Sequence, residues 1–170
     1  MKKRKLTLNH YSVLQRIYTH SYYTGEARRE IGFPEKAVAK LQASEDDQEQ
    51  LCDHMNTPIG EITRMLSRYF TLCKNETEVS ETTDEIKNTI FIIDIPQNYP
   101  DEALMQLGMM IENYTVMRTL QLWMQQHKPD EAAIATSEIQ QIVFNLREMF
   151  ALRKRPRREK EYSFDKLIDL

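Results

Sequence analysis

Four histidines and two cysteines are the residues of this chain best suited to hold a metal or a labile proton, and their spacing keeps them apart. His10 and His20 stand ten residues from each other, about 15 Å along a helix. Cys52 and His54 are two apart and point in different directions on a helix. His127 lies alone. These are the spacings of surface or interface histidines. Three acid pairs, Asp46 with Asp47, Asp101 with Glu102 and Asp130 with Glu131, offer general acid–base chemistry on paper. Each stands at the start of a helical pattern, where carboxylates complement the positive end of the helix dipole, and that role accounts for them. No phosphate-cradling glycine loop is present, and Ser137 and Ser163 lack a histidine–acid context. The residues assign no catalytic group, no metal ligand and no cofactor site, and they imply no small-molecule substrate.

Binding chemistry is better represented. Six of the eight residues from Arg153 to Lys160 are basic: Arg153, Lys154, Arg155, Arg157, Arg158 and Lys160. Lys2, Lys3, Arg4 and Lys5 form a second basic run at the other end. The formal net charge is nevertheless −3, so the body between them is strongly acidic. Acidic bodies with basic extremities suit contact with something anionic, either nucleic acid or an acidic surface on another subunit. No recognition helix or RNA-binding signature lies beside either run, which argues against sequence-specific reading. After the basic run comes a short apolar peptide with Tyr162, Phe164, Leu167, Ile168 and Leu170.

Composition sets the elements that must carry these groups. The chain has 170 residues, 41% of them hydrophobic, and only four glycines. Sparse glycine suits long helices with few connections. No stretch approaches the ~18–20 apolar residues of a membrane span, and the basic start has no apolar segment after it, so no secretory signal is expected. Cys52 and Cys73, placed on one helix, would be about 30 Å apart and beyond disulfide reach; two reduced thiols in a cytosol are expected.

Asn9 caps a first helix with Val13, Leu14, Ile17 and Tyr18 on its apolar side, ending near Gly25. Glu26 to Gln42 reads as a broken connection with a short helix after Pro34. Ser44 and the acids after it open a helix to Cys73, with Leu51, Met55, Ile59, Ile62, Leu66, Tyr69 and Cys73 at three- and four-residue steps and a kink or restart at Thr57-Pro58. The run Thr89 to Ile95 is the clearest strand. Its partner is either a weak return over Thr77–Thr83 or a neighbouring subunit, which would pair with Ile90, Phe91, Ile92 and Ile93. Two long helices follow, from Pro100-Asp101-Glu102 and from Pro129-Asp130, antiparallel across a connection of about four residues. Met105, Met109, Met110, Met117 and Met124 lie on the first of them, a helix apolar nearly all round and hence packed from several sides. Tyr11, Tyr18, Tyr22 and Tyr23 are expected in the core rather than stacked on bases.

The expected fold is mainly α: an antiparallel helix bundle with a small β-hairpin insertion and an extended C-terminal tail. A basic arm spans 1–8, the bundle 9–152 with its β insertion near 77–95, and the basic tail with its apolar peptide 153–170. Two stretches carry a resemblance: Ile93-Asp94-Ile95-Pro96-Gln97-Asn98-Tyr99-Pro100-Asp101 followed by a helix with Tyr114 and Trp123, and a helix ending in Leu152-Arg153-Lys154-Arg155-Pro156-Arg157-Arg158. With an early helix reaching Tyr22-Tyr23-Thr24-Gly25 and a helix starting at Ser44, the chain resembles the small head-to-tail connector (adaptor or neck) proteins of tailed bacteriophages. The resemblance implies a non-enzymatic virion protein, assembled in the bacterial host cytoplasm as a homo-oligomeric ring beneath the portal protein. Such a ring extends the DNA channel and faces a tail or stopper protein. It also implies that Tyr162, Phe164, Leu167, Ile168 and Leu170 dock on the portal, and that the basic run lies against acidic portal surface or genomic DNA. It carries over no catalytic residue. The other reading of the same residues is a nucleic-acid-associated accessory factor whose basic arms clamp phosphate without sequence preference.

Overall fold

The computed structural model describes residues 1–79 and 87–153. Strand β1, Lys2–Asn9, leads directly into helix α1, His10–Glu30; a short helix α2, Glu35–Ala39, and a 3-10 turn, Glu45–Asp47, precede α3, Gln48–Tyr69. Strands β2, Thr71–Val79, and β3, Lys87–Ile95, then lead to α4, Asp101–His127, and α5, Pro129–Ala151. The protein is therefore a mostly helical bundle carrying a small antiparallel hairpin, β2–β3, to which β1 adds a third strand in the order β1-β3-β2. The expected basic tail and docking peptide, Lys154 to Leu170, lie outside the described residues.

Helix α4 is the pillar. Its buried residues, among them Leu107, Ile111, Tyr114, Val116, Leu120 and Trp123, are spread round the helix, and α1, α3, α5 and β1 all pack on it. Paired contacts give the directions. Ser12 Oγ donates to Glu112 Oε1 at 2.7 Å, and His20, Thr24 and Arg28 share a groove with Met117, Leu120 and Met124, so α1 runs parallel to α4. Glu61 meets Tyr114 and Arg118, while Gln50 meets Gln126; α3 is antiparallel. Gln121 meets Thr136, and Tyr99, just before α4, meets Met149; α5 is antiparallel too, joined through Lys128 alone.

The sheet covers one end of this bundle. Alternation along β3 sends Thr89, Phe91, Ile93 and Ile95 inward, where Phe91 and Ile93 are fully buried, and β1 adds Leu6 and Leu8 to the same core. Cross-strand partners run from Lys2 with Ile95 to Asn9 with Asn88, and on the other side from Thr71 with Asp94 to Val79 with Lys87, with a register shift between Leu72 and Lys74.

Four expectations change. The basic arm 1–8 is not a free arm: Lys2–Asn9 is an edge strand, because Leu6 and Leu8 supply a two-residue apolar period and exposed lysines are what edge strands carry. Strand β3 is central, so Ile90, Phe91, Ile92 and Ile93 have both backbone edges paired within the chain and are unavailable for inter-subunit pairing. Helix α1 passes through Gly25, where a Cβ would stand 2.6 Å from Gln42 Cγ, and stops at Gly32 instead. There φ is 88°; Gly32 N and Phe33 N donate to Arg29 O and Arg28 O at 3.0 and 3.1 Å, and Phe33 stacks under Arg28, a C-terminal stop that favours glycine. Helix α3 ends at Tyr69, four residues before Cys73, which lies in β2; the helix continues unbroken past the buried Pro58.

Because Phe91 is wholly buried and Ile92 faces outward, Phe91→Ala should cost about 3–5 kcal/mol and Ile92→Thr much less. Denaturant melts followed by circular dichroism check this; equal losses would reverse the assigned faces of β3.

Candidate functional site

Both ends of the described chain meet at one pole of the bundle. Lys2 and Arg4, at the start of β1, pair with Asp101 at the start of α4, at 3.9 and 3.0 Å. A shallow cavity of about 270 Å³ beside them is lined by Met1, Ser67, Arg68, Tyr69, Phe70, Thr71, Asp94 and Pro96. Phe70 belongs to an aromatic cluster that holds the end of α5: its ring lies 6.0 Å from Phe150 and 5.5 Å from Tyr99, and Tyr69 lies 5.4 Å from Phe150.

Arg153, the first cation of the C-terminal run, is fixed in this cluster. Its guanidinium carbon sits 5.9 Å from the ring centroids of both Phe70 and Tyr99, a cation–π geometry. Its Nη1 donates to Phe150 O at 2.9 Å and Leu152 O at 2.6 Å, and the Tyr99 hydroxyl donates to Met149 O at 3.0 Å. Side chains thus bond the carbonyls of the last turn of α5, Met149 O accepting from Leu152 N as well, and a cation stands at the negative end of its dipole. Burial raises the Tyr99 hydroxyl pKa above its usual range, and the neighbouring Arg153 charge opposes that rise. Arg153, exposed to solvent, is thus tied to the end of α5. Lys154, Arg155, Arg157, Arg158 and Lys160, with Tyr162, Phe164, Leu167, Ile168 and Leu170, follow it outside the described residues.

A polar network crosses the middle of the bundle. Glu61 on α3 accepts from the Tyr114 hydroxyl and from Arg118 Nη2 at 3.2 Å and Nε at 3.3 Å. Arg118 Nη1 also donates to Gln121 Oε1 at 2.6 Å, and Gln121 Nε2 donates to Thr136 Oγ1 at 2.8 Å. The buried Gln121 amide thus has its polar atoms paired, as burial requires. The chain of bonds ties α3, α4 and α5 in one register. Burial, reinforced by the hydrogen bond to Glu61 and its charge, pushes the Tyr114 pKa well up, against the pull of Arg118. Such a network positions helices.

The methionines of α4 divide between core and surface. Met124 is buried, Met110 and Met117 are half-buried, and Met105 and Met109 are 77% and 64% exposed. Met109 and Met110 line an open groove of about 650 Å³ with Arg16, Gln106, Glu112 and Asn113. Arg16 is held there by Glu112 at 3.3 Å and by Asn113. Of the tyrosines expected in the core, Tyr11, Tyr22 and Tyr23 are exposed, with Tyr22 and Tyr23 edge-to-face on each other; only Tyr18 is half-buried.

The histidines do different work on different elements. His10 Nε2 bonds Thr89 Oγ1 at 2.9 Å, and His127 stacks 4.6 Å from Trp123. Among the described residues no group of three histidine, cysteine or acid side chains converges for a metal. Sequence reasoning missed the contribution of Arg64, Arg68 and the Phe70–Tyr99–Phe150 cluster, whose only signal was two arginines four residues apart at a helix end. Comparison with protein-family models, with curated proteins and with solved structures finds no match.

Tyr18, Tyr99 and Tyr114 all have folded pKa values raised above the ordinary value of about 10. The stability their neutral hydroxyls contribute is therefore fully present below about pH 10 and is lost as pH rises from there through the folded values. Ultraviolet titration should show a late tyrosinate component that vanishes in urea, and Tyr114→Phe should remove part of it. A titration that is the same in folded and unfolded protein would contradict the burial assigned to these hydroxyls.

Proposed function

We propose that this chain is a non-enzymatic structural protein, the ring-forming subunit of a head-to-tail connector in a tailed-bacteriophage virion. Its C-terminal tail docks on the portal protein, its body extends the DNA channel, and its free surface meets the tail or stopper protein. The observation that carries this reading is the way the tail is rooted. Arg153 is clamped between Phe70 and Tyr99 and bonded to the end of α5, so the segment after it leaves from a fixed point on a rigid bundle. A docking peptide joined to a folded body raises the effective concentration of its second contact once one subunit has bound. The helical bundle with its hairpin agrees with the architecture that the sequence resemblance implies.

In this reading the tail is separable from the core, whose described members all precede residue 151. Deleting 161–170 should leave the helical circular dichroism signal and the melting temperature unchanged within about 2 °C while abolishing ring formation. Native mass spectrometry and negative-stain microscopy of the full and shortened chains read the outcome. A full-length chain that remains monomeric and also fails to bind a portal ring contradicts the proposal; a shortened chain that unfolds places the tail in the core and contradicts the docking role.

A further inference from the structure

Positive charge from segments far apart in sequence gathers at this pole. Along β1, Lys2 and Arg4 turn to Asp101, so alternation sends Lys3 and Lys5 to the outer face of the sheet, where both are exposed. Lys3 stands opposite Asp94 on β3. Asp94 lines the same cavity as the amino-terminal residue Met1 and Arg68 from the last turn of α3. Arg64 lies one turn before Arg68 on the same helix face, and both are exposed. Among the described residues no ion pair engages Lys3, Lys5, Arg64 or Arg68. Among the described side chains the half-buried Asp94 is the acid of this strip, Asp101 being held by Lys2 and Arg4. Phe70, which borders the cavity, also carries Arg153 on its ring, so the sequence continues from this rim into Lys154, Arg155, Arg157, Arg158 and Lys160.

Uncompensated cations on one face repel each other, and a polyanion laid across them relieves that repulsion. Two polyanions present themselves, an acidic protein surface and a phosphate backbone. Protein interfaces are centred on apolar and aromatic anchors and are poor in lysine. The exposed Ser67 and Tyr69 line the cavity beside Arg68, hydroxyl side chains of the kind that, with Arg and Lys, contact phosphate oxygens. We propose that this face binds the phosphate backbone of nucleic acid through Lys3, Lys5, Arg64 and Arg68, without reading base sequence. The site does not rest on the connector reading: assembly is read by mass and microscopy, this site by equilibrium binding, and either can fail alone.

The test is fluorescence anisotropy of the full-length chain with a mixed-sequence DNA duplex across a salt series. The observed constant should fall steeply with salt, and each phosphate contact contributes about 0.9 to the slope of log K against log salt. Arg64→Gln with Arg68→Gln should therefore lower that slope by about two, equally for unrelated duplex sequences, with an unchanged circular dichroism spectrum because both side chains are exposed. Lys3→Gln with Lys5→Gln should do the same. A slope unaltered in both double variants would assign binding to residues 154–160 alone and overturn the site. Absence of binding at about 50 mM salt, or displacement by polyglutamate as efficient as by unlabelled DNA at equal charge, would overturn it as well.

Discussion

The pairing of β1 with β3 is the constraint on which the rest of the molecule depends. No linker separates Asn9 from His10, and the Asn9 side chain accepts from Ser12 N at 3.0 Å to cap α1. The register of one strand therefore sets where α1 begins and which of its residues meet Glu112 on α4. Ladder hydrogen bonds to β3 and the burial of Leu6 and Leu8 work against the backbone entropy lost in ordering β1. The same pairing places four basic residues on the surface of the fold: two directed at Asp101, two turned outward.

With α4 as the pillar, helix direction becomes charge distribution. The starts of α3 and α5 carry Glu45, Asp46, Asp47 and Glu49 and Asp130 and Glu131, about 20–35 Å along their helices from Arg64, Arg68 and Arg153. Each set complements the dipole of the helix it terminates. Local helix-terminus chemistry, repeated on two helices running the same way, yields a body acidic at one end and basic at the other. Lys2 to Lys5 add to the basic end because the described chain begins there beside Asp101.

Much of this was legible in the residues. Proline followed by two acids marked the starts of α4 and α5 to within a residue or two, and β-branched residues marked β3. The apolar steps from Leu51 to Leu66 marked α3, but Tyr69 and Cys73 continued the same spacing, so its end was invisible until β3 supplied a partner for β2. Gly25 read as a stop because glycine usually is one; here it admits Gln42 against α1, and the stop came seven residues later. In β1 the alternation of Leu6 and Leu8 is only two apolar residues long, and four adjacent cations outweighed it. The pole itself was not legible, since Arg64 and Arg68, Asp94 and Arg153 come together only through the sheet and the aromatic cluster around Phe70.

Amide hydrogen exchange across residues 2–9 tests the central claim most directly. If β1 is the edge strand that places the amino terminus beside Arg153, its amides directed at β3 exchange at rates comparable to those of Phe91 and Ile93. Exchange of those amides at the rate of an unstructured peptide would show that the segment is a free arm, and the basic pole would lose the strand that assembles it.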